Sequence, residues 1–271
     1  MQILTATDQG LALDDRGLAY GDGLFETVRV CHGRPELALA HQQRMLAGAR
    51  RLGIPLTPED YQRGLSQALE HCQHPQAVIK LILTRGSGGR GYRPPEAASP
   101  RMIVSVHGLP PLPDPAVGVK ACVSAIPLVV NPVLAGLKTL NRLEQVMASQ
   151  SMPDDCYEAL MLNLQGELVE GTRCNLLFRW RGHWYTPALA SVAVAGVMLG
   201  YVRQRLATAG IGVEERPLTP AMLASPDFEG LLLTNSVMGV IPVHTLDSLR
   251  LPLPEELATI HHLTDPPLED I

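Results

Sequence analysis

The sequence lacks the features that mark secreted and membrane proteins. No apolar run approaches the length that a bilayer-spanning helix requires, and residues Met1 to Asp8 lack a basic region followed by an apolar stretch. The five cysteines are odd in number, widely scattered and never arranged as Cys-x-x-Cys, so neither a disulfide framework nor a zinc-ligand pattern is indicated. These absences predict a cytoplasmic protein whose thiols are reduced.

Blocks of like charge are also missing. The chain has 22 lysines and arginines against 27 acidic residues, a net charge of -5, so neither a nucleic-acid surface nor a polybasic membrane anchor is indicated. The segment His71-Cys72-Gln73-His74 contains ligand-type residues but has no matching second half, and we predict no metal site. Small molecules and further copies of the chain remain as the expected partners.

A proline-rich segment divides the chain. Hydrophobic residues make up 46% of the 271 residues, which is enough for one large or two modest cores. Leu109 to Pro115 holds four prolines, which are incompatible with a helix or a central strand. We therefore predict a domain over residues 1–108, a linker over 109–116 and a second domain over 117–271.

Periodicity predicts helices and strands in both halves. Leu24 to Val30 has the composition of a strand, and His41 to Leu52 places apolar residues at helical spacing. Thr57-Pro58-Glu59-Asp60 combines an N-cap, a proline at the first helical position and acidic residues near the helix dipole, which predicts a helix to about His71. Arg181-Gly182 predicts a tight hairpin. The pattern indicates two mixed α/β domains.

Three short segments stand out by their order and spacing. They are Tyr20-Gly21-Asp22-Gly23-Leu24-Phe25-Glu26-Thr27, Lys138 to Glu144, and Glu170-Gly171-Thr172-Arg173-Cys174-Asn175. Together with Arg44 and Gly196, they resemble class IV pyridoxal-phosphate-dependent aminotransferases over nearly the whole chain. Two longer segments are similar to the aminodeoxychorismate lyases within that family: Arg85-Gly86-Ser87-Gly88-Gly89-Arg90-Gly91-Tyr92, and Gly136 to Gln145.

The resemblance assigns the two residues that act on the cofactor. Lys138 matches the lysine that bonds to the cofactor aldehyde, and its flanking residues are mostly apolar, whereas an ordinary lysine in a turn would be solvated. Glu170 matches the acid that keeps the pyridine nitrogen protonated and the ring an electron sink. Considered alone, Glu170 could equally be an acid in a turn.

Further residues match the phosphate-binding positions of the family. Arg44 would donate from one helix, and the amides of Gly196, Val197 and Met198 would donate from the positive end of another. The second helix begins Gly-Val-Met where many relatives have a threonine, so one hydroxyl donor is missing. An ion pair is the alternative role for Arg44. Ser236 occupies the remaining phosphate position, and Asn175 would either brace its turn or contact the cofactor.

The implied substrate carries two carboxylates, so arginines beyond those needed for phosphate are expected. The candidates are Arg29, Arg90, Arg142 and Arg173, of which Arg90 is preferred because it lies in the glycine-rich loop, Gly86 to Tyr92. Tyr92 is a candidate lid residue. The alternative is that this loop is only a long hairpin connection; a dinucleotide-binding loop is excluded by its glycine spacing and by Pro94-Pro95, which follow where a helix would be needed.

The resemblance also implies an architecture and an activity. It implies the fold type IV architecture, an N-terminal α/β sandwich and a C-terminal pseudo-barrel with the cofactor between them, in a homodimer. The implied reaction forms 4-aminobenzoate and pyruvate from 4-amino-4-deoxychorismate, for folate biosynthesis. A D-amino-acid or branched-chain aminotransferase is the main alternative, because it requires the same Lys138, Glu170 and Arg44. A non-catalytic binding protein on this fold would have lost Lys138 or Glu170.

Overall fold

The computed structural model describes residues 1–5, 10–88, 90–188, 190, 192 and 194–266 of the chain. Gly89 of the glycine-rich loop, part of the Met1 to Asp8 segment and the last five residues of the predicted second domain lie outside these ranges. The chain forms two compact units. The first contains Met1–Pro110 and Leu137–Asn141, and the second contains Pro111–Gly136 and Arg142–Asp265.

The first unit is one mixed sheet covered by two helices. Its strands lie in the order β1-β5-β4-β2-β3, and only the β1–β5 pair is parallel. In chain order its elements are β1 (Gln2–Leu4), α1 (Arg16–Tyr20), β2 (Gly23–Cys31), β3 (Arg34–Pro35), α2 (Ala38–Leu52), α3 (Pro58–Glu70), β4 (Gln76–Thr84) and β5 (Arg101–Gly108).

The core of the first unit forms where α2 and α3 cover one face of the sheet. In β2, Leu24, Val28 and Val30 alternate with half-buried residues, as expected for a strand with one covered face. Helix α3 begins as the sequence predicts, where Thr57 and Asp60 form a reciprocal capping box. Helix α2 ends at the predicted Leu52 but begins at Ala38, three residues before the predicted His41. Leu137, distant in sequence, completes this core and fixes the segment Leu137–Asn141 to the first unit.

The second unit is built on a long mixed sheet. Eight strands follow one another in the order β11-β10-β9-β12-β13-β6-β7-β8, and β14 pairs with β13. Its elements are β6 (Val119–Val123), α4 (Leu143–Gln150), β7 (Glu158–Leu162), β8 (Leu168–Gly171), β9 (Asn175–Trp180), β10 (His183–Thr186), α5 (Val197–Thr208), β11 (Val213–Glu215), α6 (Pro220–Leu223), β12 (Phe228–Asn235), β13 (Gly239–Leu246), β14 (Leu249–Arg250) and α7 (Leu257–Leu263).

Most predicted elements are present, and several differences have local causes. The hairpin at Arg181-Gly182 is confirmed, with positive φ at both residues, as the twist of a two-residue hairpin turn requires. No strand leads directly into Lys138: β6 ends at Val123, and turns occupy residues 132–136. The short helix α1 was not predicted, because its apolar pattern spans barely one turn.

The mixed α/β architecture agrees with the predicted fold class. The domain limits 1–108 and 117–271 remain a prediction, to which the structure adds that Leu137–Asn141 pack in the first unit. None of the helices in the described ranges has both the length and the apolar character needed to cross a bilayer. Over the same ranges, His, Cys, Asp and Glu form no group suited to a metal ion.

Candidate active site

Lys138 is held against β2 by backbone pairing on both of its sides. Phe25 N donates to Lys138 O at 2.9 Å, and Leu140 N donates to Gly23 O at 3.1 Å. The Lys138 Nζ atom lies 4.3 Å from the centre of the Phe25 ring. The side chain is half-buried between the buried Leu137 and Thr139, so this is not a solvated turn lysine. A fixed amine beside an aromatic ring is a suitable anchor for an aldehyde.

A buried charged triad lies on the covered face of the same strand. Glu26 is 1% exposed and accepts two hydrogen bonds from Arg44, one from Nε to Oε1 at 2.8 Å and one from Nη2 to Oε2 at 2.5 Å. His41 Nδ1 lies 2.6 Å from Glu26 Oε2. Because a carboxylate only accepts, Nδ1 carries the proton and donates it to Glu26. His41 and Arg44 are three residues apart on α2, which places both toward one strand.

The electrostatics of the triad fix its protonation states. Burial raises the pKa of Glu26, but the charge and hydrogen bonds of Arg44, with a contribution from His41, outweigh burial and bring the pKa to about 2. Burial lowers the pKa of His41, and Arg44 and Lys138 lower it further, against the opposing effect of Glu26. At neutral pH the triad therefore holds an anion, a neutral imidazole and a guanidinium.

Arg44 was predicted to bind phosphate, with an ion pair as the alternative. The structure shows an ion pair with Glu26, but the Arg44 side chain is 15% exposed, so it is not an ordinary surface pair. Glu26 fixes the orientation of the guanidinium through two of its nitrogens. The phosphate role remains a prediction, now with a defined guanidinium position.

In the second unit, Glu170 on β8 and Asn175 on β9 both bind the backbone of Val194. Val194 N donates to Glu170 Oε2 at 3.2 Å, and Asn175 Nδ2 donates to Val194 O at 2.9 Å. Glu170 is the penultimate residue of β8, Asn175 is the first residue of β9, and both are buried. Asn175 therefore holds a segment other than its own turn, and its contact with the cofactor stays a prediction. It braces the segment that leads into α5.

The N-terminus of α5 follows directly from that segment. Gly196 is the N-cap in extended conformation, and within the described residues no side chain caps the helix. A Cβ on Gly196 would lie 1.9 Å from Asn175 Oδ1, so only glycine fits this close approach. The amides of Val197 and Met198 therefore lie at the positive end of a twelve-residue helix, which suits a phosphate.

Ser236 follows β12 in a turn with fixed geometry. The side-chain oxygen of Asn235 accepts from Val237 N at 2.9 Å and from Met238 N at 3.0 Å. Thr234 Oγ1, at the end of β12, is buried and has no hydrogen-bond partner among the described residues. The turn presents a half-exposed Ser236 and an unsatisfied hydroxyl close together in the chain.

The glycine-rich loop connects β4 to β5, so in topology it is a long hairpin connection. It is nevertheless anchored: Ser87 Oγ accepts from Arg101 Nη1 at 2.8 Å, and Tyr92 stacks edge-on against Tyr20 with ring centres 5.6 Å apart. Arg90 and Tyr92 are exposed, Tyr92 by 86%. An exposed arginine on an anchored loop is available to a substrate carboxylate.

The other arginine candidates are more engaged. Arg29 lies in β2 on the same face as Phe25, and its Nε is 3.7 Å from Glu36 Oε1. Arg142 is the N-cap residue of α4. Arg173 donates from Nη2 to Tyr157 O at 2.6 Å and lies over the Tyr157 ring. Arg29 and Arg142 are half-buried and Arg173 is engaged by Tyr157, so the exposed Arg90 remains the preferred candidate.

Sequence reasoning missed the roles of Glu26 and His41. Glu26 lies in the segment Tyr20 to Thr27, and its position two residues from Leu24 in an alternating strand places it on the covered face. The available signal was an acid on the covered face of a strand together with a histidine and an arginine three residues apart, His41 and Arg44, on the following helix. Which residues of a helix face a given strand cannot be identified from one sequence, because the packing of the helix on the sheet is not known.

The residues of both units suit pyridoxal phosphate. The first unit provides a fixed primary amine and an oriented arginine. The second provides a buried carboxylate, Glu170, next to the segment that enters an uncapped helix N-terminus. An amine, a carboxylate and phosphate donors are the three kinds of group that this cofactor requires.

Comparisons with known proteins identify the family of the chain. The model of the amino-transferase class IV family matches residues 23–246. An aminodeoxychorismate lyase of Vibrio harveyi is 34% identical over 235 residues, 85% of each chain. A putative branched-chain-amino-acid aminotransferase of Methanocaldococcus jannaschii is 30% identical and covers 89% of this chain and 84% of its own. The crystal structure of 4-amino-4-deoxychorismate lyase from Pseudomonas aeruginosa superposes with a TM-score of 0.88, at 39% identity over 94% of each chain. The chain belongs to the class IV aminotransferase family.

Proposed function

We propose that this protein is a pyridoxal-phosphate-dependent lyase that converts 4-amino-4-deoxychorismate into 4-aminobenzoate and pyruvate, a step of folate biosynthesis. The observation that carries the proposal is the similarity of nearly the whole chain to two lyases of this specificity. The anchored glycine-rich loop, with an exposed Arg90, supports it further because the substrate carries two carboxylates.

Lys138 and Glu170 perform the chemistry in this proposal. Bound pyridoxal phosphate supplies an electron sink conjugated to the carbon that carries the substrate amine. The Lys138 Nζ removes the proton from that carbon as a general base, and the enolpyruvyl group leaves from the neighbouring carbon as the ring becomes aromatic. Glu170 keeps the pyridine nitrogen protonated, which its burial and fixed orientation support.

Donors of three kinds hold the cofactor phosphate in this proposal. The amides of Val197 and Met198, after Gly196, contribute the positive end of α5. Arg44 contributes a guanidinium oriented by Glu26, and Ser236 contributes a hydroxyl from its turn. Asn175 contributes indirectly, since it braces the segment before α5.

The substrate carboxylates are assigned to arginines. We assign Arg90 first, with Tyr92 covering the bound substrate, because both are exposed on an anchored loop. Arg29 is assigned second, since it shares the Phe25 face of β2. Arg142 remains a third candidate at the start of α4. Removal of Arg90 would therefore raise the Michaelis constant for the substrate and leave cofactor binding intact.

We further propose that the enzyme is a cytoplasmic homodimer. The five cysteines are free thiols, which suits a reducing compartment. Helix α4 exposes Leu143, Val146 and Met147 on one face, an apolar stripe of the kind that a partner subunit covers.

One assay separates this lyase from an aminotransferase on the same scaffold. With 4-amino-4-deoxychorismate as sole substrate, we expect many turnovers, with pyruvate and 4-aminobenzoate released in equal amounts and no accumulation of pyridoxamine phosphate. An aminotransferase retains the amino group on its cofactor and needs a keto acid to continue. Turnover that stops after one equivalent per site until a keto acid is added would exclude the lyase.

A further inference from the structure

Arg16 lies at the centre of a hydrogen-bond network that the proposed reaction does not explain. Its side chain is 3% exposed, and its Nε donates to Asp22 Oδ2 at 2.9 Å. Nη1 donates to Gly91 O at 3.0 Å and more weakly to Gly88 O at 3.4 Å, and Nη2 donates to Tyr92 O at 2.9 Å. One buried guanidinium therefore holds three carbonyls of the glycine-rich loop.

Tyr20 ties the same loop from a second direction. Its ring lies 4.8 Å from the Arg16 guanidinium carbon, and its hydroxyl accepts from Gly91 N at 3.1 Å. The ring also stacks edge-on against Tyr92. Arg16 and Tyr20 are the first and last residues of α1. This five-residue helix therefore presents both groups that fasten the loop.

Asp22 connects the network to helix α2. It accepts from Arg16 and also from Arg85, whose Nε and Nη2 lie 2.8 Å and 3.0 Å from its carboxylate oxygens. The remaining Arg85 donors bind Leu52 O and Gly53 O, both at 2.7 Å, where α2 ends. Burial raises the pKa of Asp22, but the two arginines outweigh burial and lower it, so Asp22 is an anion at neutral pH.

We propose that Arg16 is a positioning residue that holds the glycine-rich loop in the conformation in which Arg90 binds a substrate carboxylate. The inference rests on the proposed function, which assigns Arg90 to the substrate. The role requires a guanidinium, because its planar set of donors reaches a carboxylate on one side and the carbonyls of Gly91 and Tyr92 on the other. A lysine ammonium has the charge but lacks this geometry.

The first test measures the loop itself by trypsin cleavage. Trypsin cleaves after arginine, and the region contains Arg85, Arg90 and Arg93. Arg85 is buried and Pro94 blocks cleavage after Arg93, so the Arg90–Gly91 bond reports on the loop. In Arg16→Lys we expect this bond to be cleaved about tenfold faster, as loss of one charge-assisted hydrogen bond predicts. Arg63→Lys, on the surface of α3, is the matched control and should leave the rate unchanged.

The outcomes of cleavage are decisive in either direction. An unchanged rate at Arg90–Gly91, or equal acceleration at every cleavage site, would overturn the proposal, because the second result indicates general destabilisation. If Arg16→Lys fails to fold, Tyr20→Phe takes its place, since it removes only the acceptor of the Gly91 N–H. Faster cleavage in Tyr20→Phe supports the anchored loop, and an unchanged rate overturns it.

The second test measures steady-state kinetics of the holoenzyme. We expect Arg16→Lys to raise the Michaelis constant for 4-amino-4-deoxychorismate about tenfold while kcat stays within about twofold, since a displaced binding group weakens binding rather than chemistry. Added to Arg90→Ala, the same substitution should raise the Michaelis constant no further, because the two residues act in series.

Additive effects, or a fall in kcat alone, would contradict the proposal. A parent protein without turnover would refute the proposed function, and cleavage would still decide the role of Arg16.

Discussion

At the scale of the residue, two lysines near one aromatic ring differ in their attachment. Lys138 Nζ is 4.3 Å and Lys80 Nζ is 5.4 Å from the centre of the Phe25 ring. Lys80 lies within β4, whereas Lys138 lies in a segment joined to β2 by backbone hydrogen bonds. Both lysines therefore lie near the Phe25 ring, and they differ in the part of the chain that carries them.

We predict that Lys138→Ala abolishes 4-aminobenzoate formation, because it removes both the cofactor anchor and the general base. Lys80→Ala is the matched control and should retain turnover. Borohydride reduction followed by peptide mass analysis gives a readout independent of activity: the cofactor mass should appear on the peptide that contains Lys138. Cofactor mass on a Lys80 peptide, or full turnover in Lys138→Ala, would show that the wrong lysine was chosen.

The Glu26 carboxylate should make stability depend on acid pH. Its pKa falls from an ordinary 4.5 to about 2 in the folded protein. A lowered pKa contributes stability above the unfolded value, and this contribution is lost as pH falls from 4.5 toward 2. The shift corresponds to about 3 kcal/mol. Glu26→Gln resembles the protonated form, so we expect it to be less stable than the parent at pH 7.

Denaturant unfolding at several pH values tests this prediction. The difference in unfolding free energy between parent and Glu26→Gln should be constant above pH 4.5 and should shrink below it. We also expect weaker cofactor retention in the variant, since Arg44 loses the partner that orients it. A stability difference that is independent of pH would show that Glu26 titrates normally.

At the scale of the element, the start of α5 depends on one close approach. Gly196→Ala would bring a Cβ within 1.9 Å of Asn175 Oδ1, and Asn175 is buried and bonded to Val194 O. We expect the substitution to break that hydrogen bond, which costs about 1 to 3 kcal/mol, and to weaken cofactor binding. A titration of apoprotein with pyridoxal phosphate measures the effect.

Gly200→Ala on the same helix is the matched control. A Cβ at Gly200 meets no atom within 4 Å, so it should stabilise α5 by about 0.5 to 1 kcal/mol through helix propensity. Cofactor affinity should not change. If both alanine variants weakened the cofactor equally, the N-terminus of α5 would not be the phosphate site.

Elements with strong local signals could be predicted, and those fixed by distant contacts could not. The capping box predicts α3, and the alternation of apolar residues predicts β2. The segment that contains Lys138 has no such signal, because its conformation depends on pairing with Gly23 and Phe25, more than a hundred residues earlier. The same reason explains why Arg16 was missed: its partners are loop carbonyls that no sequence pattern marks.

At the scale of the whole molecule, a motif shared across a family indicates chemistry more readily than assembly. Lys138 and Glu170 were identified because cofactor chemistry restricts residue type at those positions. Surfaces that meet another copy are less restricted, since many apolar side chains serve equally. Helix α4 is the clearest case: its large apolar residues Leu143, Val146 and Met147 are exposed, whereas its buried residues are Gln145 and the small Ala148.

The exposed apolar face of α4 predicts where two subunits meet. Leu143, Val146 and Met147 lie three and four residues apart, so they form one stripe, and more than half of each side chain is exposed. Such a stripe is unfavourable in water unless a partner covers it.

We expect the parent to sediment as a dimer of its 29.3 kDa chain. Val146→Asp should weaken the dimer at least about a hundredfold, about 3 kcal/mol, because a charge would be buried without a counterion. Leu164→Asp is the control, since Leu164 is equally apolar and exposed but lies in the turn between β7 and β8. A dimer that tolerates Val146→Asp but dissociates with Leu164→Asp would place the interface on the β7–β8 turn instead.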